Sequence, residues 1–258
     1  MLEKIKLIFE KKSLIWILAV MDLKLRYRNS ILGFLWSILE PLFMLLVLYV
    51  VFNYILRSDI QNYPLFLLIG IIFWNTFSRG TSMGSNSILA RSGIVMTIPL
   101  PKIALPFSSV VTSFLMLFFE LIIFVVFVIG FQFYPPFSIV YLPLAFVPLF
   151  ILTLGMSLSL SVLNVMYRDV SYIWTIILQA GFFLTPIIYK MNILPETLQN
   201  ILIFNPMSHI VIWVQDLTIF GKTPSMESIT YTFGSSIIIL IIGLVTFSKL
   251  QNKMVDKL

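Results

Sequence analysis

The chain has 258 residues, of which 59% are hydrophobic, 15% aromatic and 11% charged, with a net charge of +6 and no cysteine. Soluble domains are about half apolar and about a quarter charged, so this composition excludes a water-soluble fold and describes an integral membrane protein whose apolar side chains face lipid. The missing cysteine excludes a disulfide framework and thiolate metal sites, and the basic excess is accounted for by membrane topology rather than by nucleic acid.

Residues 1–30 precede the first long apolar run. Leu14, Leu18, Met21 and Leu25 recur at helical spacing, with Asp22, Lys24 and Arg26 off that stripe. This predicts a cytoplasmic amphipathic helix lying along the membrane surface. It does not read as a convincing secretory signal, because its apolar run is short, ends in Asp22-Leu23-Lys24 and lacks a small-residue cleavage site.

A spanning helix needs about 20 apolar residues. The runs predict six spans, at 31–55, 64–84, 106–131, 140–166, 172–189 and 231–247. Glu40-Pro41 in the first predicts a local helix break that exposes backbone. Residues 191–230 are partly apolar but interrupted by Asn205-Pro206 and Asp216. They predict short re-entrant helices on the outer side rather than a span. The expected organisation is one transmembrane domain over 1–258: an interface helix in 1–30, spans one to five in 31–190, an outer gate segment in 191–230, and span six with a cytoplasmic tail in 231–258.

The basic residues orient this layout. With the N-terminus inside, fourteen Lys and Arg fall on the cytoplasmic side, Arg79 and Arg91 among them. Arg57, Lys190 and Lys222 fall outside. Cytoplasmic loops carry the Lys and Arg excess, so both termini are expected in the cytoplasm.

Few motifs carry chemistry. Phe220-Gly221-Lys222-Thr223 ends like a phosphate-binding loop, but Asp216 stands where that loop needs its first glycine. The single histidine, His209, has no Cys or second His to share a metal, and reads as a satisfied structural residue. No catalytic residue and no metal site are expected. Glu40 and Glu120 lie within spans, where a carboxylate is a functional candidate by default; alternatively, Glu40 sits near the inner interface and Glu120 pairs with a neighbouring helix. Gly80 and Gly84 form a GxxxG suited to close helix packing. Trp36, Tyr49, Trp74 and Trp174 fall inside spans, where aromatic faces can stack on sugar rings or pack against lipid and helices.

The run Asp22-Leu23-Lys24-Leu25-Arg26-Tyr27-Arg28-Asn29-Ser30-Ile31-Leu32-Gly33-Phe34-Leu35-Trp36, leading to Glu40-Pro41-Leu42, resembles the opening of the permease subunits of type-2 ABC exporters for cell-surface polysaccharide. Those subunits serve O-antigen, teichoic acid and capsule export. Asn86 to Leu89, Pro99-Leu100-Pro101-Lys102-Ile103-Ala104-Leu105-Pro106, Tyr167-Arg168-Asp169-Val170 and Asn205-Pro206 extend the likeness over nearly the whole chain.

The resemblance implies a homodimer in the cytoplasmic (inner) membrane, working with two copies of a separate subunit that binds ATP and Mg. It implies no cofactor and no enzymatic activity in this chain, and no nucleic acid partner. Ser87, Leu89, Arg91, Met96, Arg168 and Asp169 match the ATPase-coupling loops. Arg26, Arg28 and Glu40 would stand at the substrate entrance, and Trp36, Tyr49, Trp74, Glu120 and Trp174 along a channel for a lipid-linked glycan, O-antigen first among the candidates. Alternatives are an ABC exporter of teichoic acid, lipid or drug, an ion-coupled carrier using Glu40 and Glu120, and a membrane enzyme acting on lipid-linked sugars.

Overall fold

The structure, a computed structural model, describes residues 11–28, 30–51, 60, 62–97, 100–254 and 257. Every regular element among them is helical. In chain order they are α1 (Lys12–Tyr27), α2 (Trp36–Tyr49), α3 (Tyr63–Asn86), α4 (Ser92–Thr97), α5 (Ala104–Gly130), α6 (Leu142–Met166), α7 (Val170–Leu184), α8 (Glu196–Leu202), α9 (Pro206–Gln215) and α10 (Met226–Leu250). Short tight turns join several of them, and a π-helical turn, Asp216–Phe220, follows α9.

Helix α3 is the centre of the molecule. Its first half is apolar and its second half carries Asn75, Thr76, Ser78, Arg79, Thr81, Ser82, Ser85 and Asn86. Such a half is poorly suited to lipid. Thr76, Arg79, Thr81 and Ser85 are buried instead, with α2, α5, α6, α7 and α9 packed along α3, while Asn75, Ser78 and Ser82 are half-buried and Asn86 exposed. The hydroxyls of Thr76 and Thr81 donate to the carbonyls of Ile72 and Phe77 one turn back, which satisfies them without a partner helix. The GxxxG works as packing. A Cβ on Gly80 would lie 2.6 Å from Thr153 Cγ2, and one on Gly84 would lie 2.5 Å from Ser157 Cβ. Small residues let α3 and α6 approach until Ser157 Oγ donates to the Gly80 carbonyl at 3.1 Å.

Helices α6 and α10 meet still more closely. A Cβ on Gly155 would fall 2.6 Å from the Leu240 backbone nitrogen, and one on Gly243 would collide with the Gly155 carbonyl.

Among the described residues, three stretches are long and apolar enough to cross a bilayer: Ala104–Gly130, Phe137–Met166 and Met226–Leu250. Leu39–Tyr49 and Val170–Leu184 are apolar but shorter. The bundle has two distinct ends. Helix α1, the C-terminal ends of α3, α6 and α10, and the start of α5 share one. The other holds the start of α3 and segment 185–225, tied together by Tyr63 Oη donating to the Ile188 carbonyl.

Several boundaries differ from those expected. Helix α2 runs unbroken through Pro41; in the second turn the proline removes one backbone hydrogen bond and does not stop the helix. The fifth apolar run is helical only to Leu184, because Thr185 is extended before Pro186. Helix α10 begins at Met226 rather than residue 231, since the Ser225 hydroxyl caps it by accepting from the Ser228 amide at 3.2 Å.

Arg79 is not a loop residue marking the cytoplasmic side but lies buried within α3, which leaves thirteen basic residues against three. The stripe Leu14–Leu18–Met21–Leu25 divides, with Leu14 and Leu18 half-buried and Leu18 against the core. Ile15 and Ala19 are buried, while Met21 and Leu25 are about half exposed. The docked face is the one where Ala19 lets Thr112 Oγ1 of α5 donate to its carbonyl at 3.2 Å.

Residues 1–10 with Lys4 and Lys6, Asn29, residues 52–55 of the first expected span, Arg57, Ile98 and Pro99 lie outside the described residues.

Candidate functional site

A cleft of about 610 Å³ opens between α2, α3 and α7. Glu40, Phe43, Met44 and Val47 line it from α2, and Trp74, Asn75, Ser78 and Ser82 from α3. Thr175, Leu178, Gln179, Phe182 and Phe183 complete it from α7. The volume is that of a small-ligand site, and the mixture of apolar walls with a few polar groups is typical of one. Asn75, Ser78 and Ser82 sit three and four residues apart, so they form one polar stripe on α3 facing the cleft. Thr175 and Gln179 repeat the spacing on α7. Sequence reading missed these five. The signal was present as polar residues at helical spacing inside apolar runs.

The aromatic candidates divide. Trp74 lines the cleft but is only 6% exposed, packed against Phe77 and edge-on to Phe182. Trp174 is 8% exposed, and its Nε1 donates to Thr81 Oγ1 at 3.0 Å. Both lock α7 onto α3. Trp36 is exposed and Tyr49 half-buried.

Glu120 does not line the cleft. It is fully buried on α5, where Arg79 Nη2 donates to its Oε1 at 2.5 Å. The pair ties α3 to α5 inside the bundle and is the buried-pair alternative that the sequence left open. Glu40, by contrast, is exposed, and Arg26 Nη2 lies 3.9 Å from its Oε2. Two of the three entrance candidates therefore meet at one mouth of the cleft, while Arg28 is exposed on the turn after α1.

The coupling candidates lie at this same end. Arg91, on the turn after α3, pairs with Asp22 of α1. Partial burial pushes the Asp22 carboxyl above its ordinary value, and Arg91 pulls it back. Asn164 Nδ2 donates to the Ser85 carbonyl at 3.1 Å and to Asn86 Oδ1 at 3.2 Å, so the end of α6 is fixed to the end of α3. Ser87 is buried, its hydroxyl donating to the Gly84 carbonyl at 2.7 Å. Leu89 is half-buried. Met96, Tyr167, Arg168 and Asp169 are exposed.

At the opposite end, His209 is held on both nitrogens. Nε2 donates to the Ile203 carbonyl at 2.8 Å, and Nδ1 accepts from the Ser228 hydroxyl at 2.9 Å. Ser228 in turn accepts from Trp213 Nε1 at 2.7 Å. Burial lowers the histidine's pKa, only partly offset by the Ile203 hydrogen bond. This neutral tautomer is the structural role expected for it.

The ABC-2 type transporter family model matches residues 13–220. The chain is 30% identical over 245 residues to an O-antigen export system permease protein, RfbA, of Klebsiella pneumoniae, covering 95% of this chain and 94% of that protein. It is 28% identical over 242 residues to an RfbA of Myxococcus xanthus, covering 93% of each. It is 24% identical over 241 residues to the polysialic acid transport protein KpsM of Escherichia coli, covering 92% of this chain and 93% of that protein.

Proposed function

The chain belongs to the ABC-2 type transporter family, and from that premise we propose that it is the permease subunit of an ATP-driven exporter that moves a lipid-linked polysaccharide across the cytoplasmic membrane. The observation that carries this is likeness over more than nine-tenths of the chain to permeases named for O-antigen and polysialic acid transport. The polymer we assign is an O-antigen, after the RfbA relatives.

In this reading six helices span: α2, α3, α5, α6, α7 and α10. Helices α5, α6 and α10 are apolar enough alone, while α3 is sheltered by its neighbours. The α1 end faces the cytoplasm with both termini, in keeping with thirteen basic residues against three. Helix α1 lies along that surface with Met21 and Leu25 toward lipid. Segment 191–225 is the outer gate. The non-helical stretch 185–190 that leads into it survives at membrane depth because Tyr63 and Gln215 donate to the carbonyls of Ile188 and Ile187.

The cleft carries the glycan. Phe43, Phe183, Ile176 and Ile177 are exposed beside it, and a second copy of the chain would cover them and close the cleft into a channel. Arg26 and Arg28 receive the lipid diphosphate by charge-assisted hydrogen bonds. The 3.9 Å contact of Arg26 with exposed Glu40 is weak enough to be displaced.

ATP and Mg belong to two copies of a separate subunit docked on Met96, Arg168 and Asp169, and its motion reaches α1 through Arg91–Asp22. An ion-coupled carrier would need Glu40 and Glu120 to exchange protons, whereas each faces an arginine. Co-expression with an ATPase subunit of such an exporter tests the assignment. We expect a two-plus-two complex to co-purify; a chain that purifies alone and transports on a proton gradient would overturn it.

A further inference from the structure

Lys190 and Lys222 are two of the three basic residues that the sequence places outside, and they converge. Both line one cavity of about 310 Å³ between segment 186–192 and the turn that follows α9. Among the described residues neither has a carboxylate within 4.0 Å. Lys190 Nζ instead stands 4.3 Å from the centroid of the Phe220 ring, a contact that holds an ammonium while leaving its hydrogens free.

The cavity is built, not incidental. The π-helical turn Asp216–Phe220 shapes it, and such turns are rare and concentrate at functional sites. That turn closes with the Lys222 amide donating to the Asp216 carbonyl at 3.1 Å, through Gly221 at φ +71°. It is braced from behind, where Ser138 Oγ donates to the Leu217 carbonyl at 2.8 Å. Phe66 and Phe220 add aromatic faces, and Asn192 and Gln215 add amides.

We propose that this cavity is an outer-face binding site for one acidic sugar residue, its carboxylate or phosphate held between Lys190 and Lys222 and its ring against the aromatic wall that Phe66 and Phe220 supply. The assignment rests on the export reading above and deepens it by giving the outgoing glycan a charged handhold at the exit. The volume, at the lower end of small-ligand sites (about 300–1,000 Å³), suits one or two sugar rings rather than a polymer. Asp216 accepts from ring hydroxyls and offsets one of the two positive charges. The remaining charge selects an anion without holding it so tightly that the glycan cannot leave. A phospholipid phosphate offers the same charge but no sugar ring to lie against the aromatic wall.

The test uses the chain with its ATPase partner in phosphatidylcholine nanodiscs, read by saturation-transfer NMR with glucuronate, glucose and inorganic phosphate as probes. Glucuronate should bind and be displaced by phosphate, and glucose should bind at least about tenfold more weakly, as expected for loss of a charge-assisted bond. Lys190→Gln with Lys222→Gln should abolish the preference, and Lys190→Arg with Lys222→Arg should retain it. Equal binding by wild type and the glutamine variant would overturn the site. So would displacement of glucuronate by phosphatidylglycerol nanodiscs at matched charge, which would make it a headgroup site. Co-purification with the ATPase is unaffected by either result, so failure here is distinct from failure of the export assignment.

Discussion

At the scale of single residues, two charge arrangements have opposite fates. Arg79 and Glu120 are buried and paired, so removing one leaves an uncompensated charge in the bundle. Glu120→Ala should destabilise the protein by about 3–5 kcal/mol, measured as thermal unfolding in detergent, and Arg79→Met with Glu120→Leu should recover most of it. An unshifted Glu120→Ala would show that the pair holds nothing. Arg26 and Arg28 are exposed, so their loss should spare folding. Arg26→Ala with Arg28→Ala should insert normally and lower export, and normal export would remove the diphosphate role.

His209 gives a dependence on pH. Its folded pKa lies below the ordinary 6.5, so the unfolded chain binds the proton better. Its stabilisation is complete above pH 6.5 and is lost as pH falls through the folded value. Hydrogen-exchange protection across 196–230, corrected for the intrinsic rate at each pH, should fall on acidification toward pH 5, and His209→Gln should flatten that fall. The sequence showed His209 as alone and hence structural. It could not show that Arg79 was Glu120's partner, because the two are brought together only by the packing of α3 on α5.

At the scale of elements, small residues set the geometry. Gly155 and Gly243 allow α6 and α10 to touch backbone to backbone, and no neighbouring side chain can yield there because the colliding atoms are backbone. Gly243→Ala should force these helices apart and lower the thermal midpoint, while Gly234→Ala on the same helix, with nothing within 4 Å, should be neutral or stabilising. Equal effects of the two would contradict the close crossing. The Gly80–Gly84 spacing was legible in the sequence. The Gly155–Gly243 crossing was not, since it joins two helices with no shared motif. The position of each apolar helix was legible from hydropathy, and its ends were not: α7 stops at Leu184 and α10 starts at Met226 for reasons of proline and serine chemistry inside apolar runs. The docked face of α1 was only partly legible, because Ile15 and Ala19 pack beside Leu18 at one edge of the apolar stripe.

At the scale of the molecule, α3 is a polar-ended core helix surrounded by more apolar ones, with a cleft on one side and exposed apolar surface beside it. The polar stripe on α3 and the aromatic edge of α7 border that open side, which the proposed second copy would cover. The arrangement also places Arg26–Glu40 at the same end as exposed Arg168 and Asp169, which is where the proposed ATPase would have to dock to act on the entrance through α1 and Arg91. The long motif from Asp22 to Trp36 indicated this function, whereas the cleft's polar lining emerged only once α2, α3 and α7 were assembled.

The most direct test of the central claim is transport itself. The chain and its ATPase, reconstituted into vesicles with the ATPase facing outward, would be given a lipid-linked O-antigen precursor and assayed for glycan protected from an added glycosidase. The account predicts that protection appears with ATP and not with a non-hydrolysable analogue, and that ATP turnover rises with the glycan present. Protection that is independent of ATP, or ATP turnover indifferent to the glycan, would contradict it.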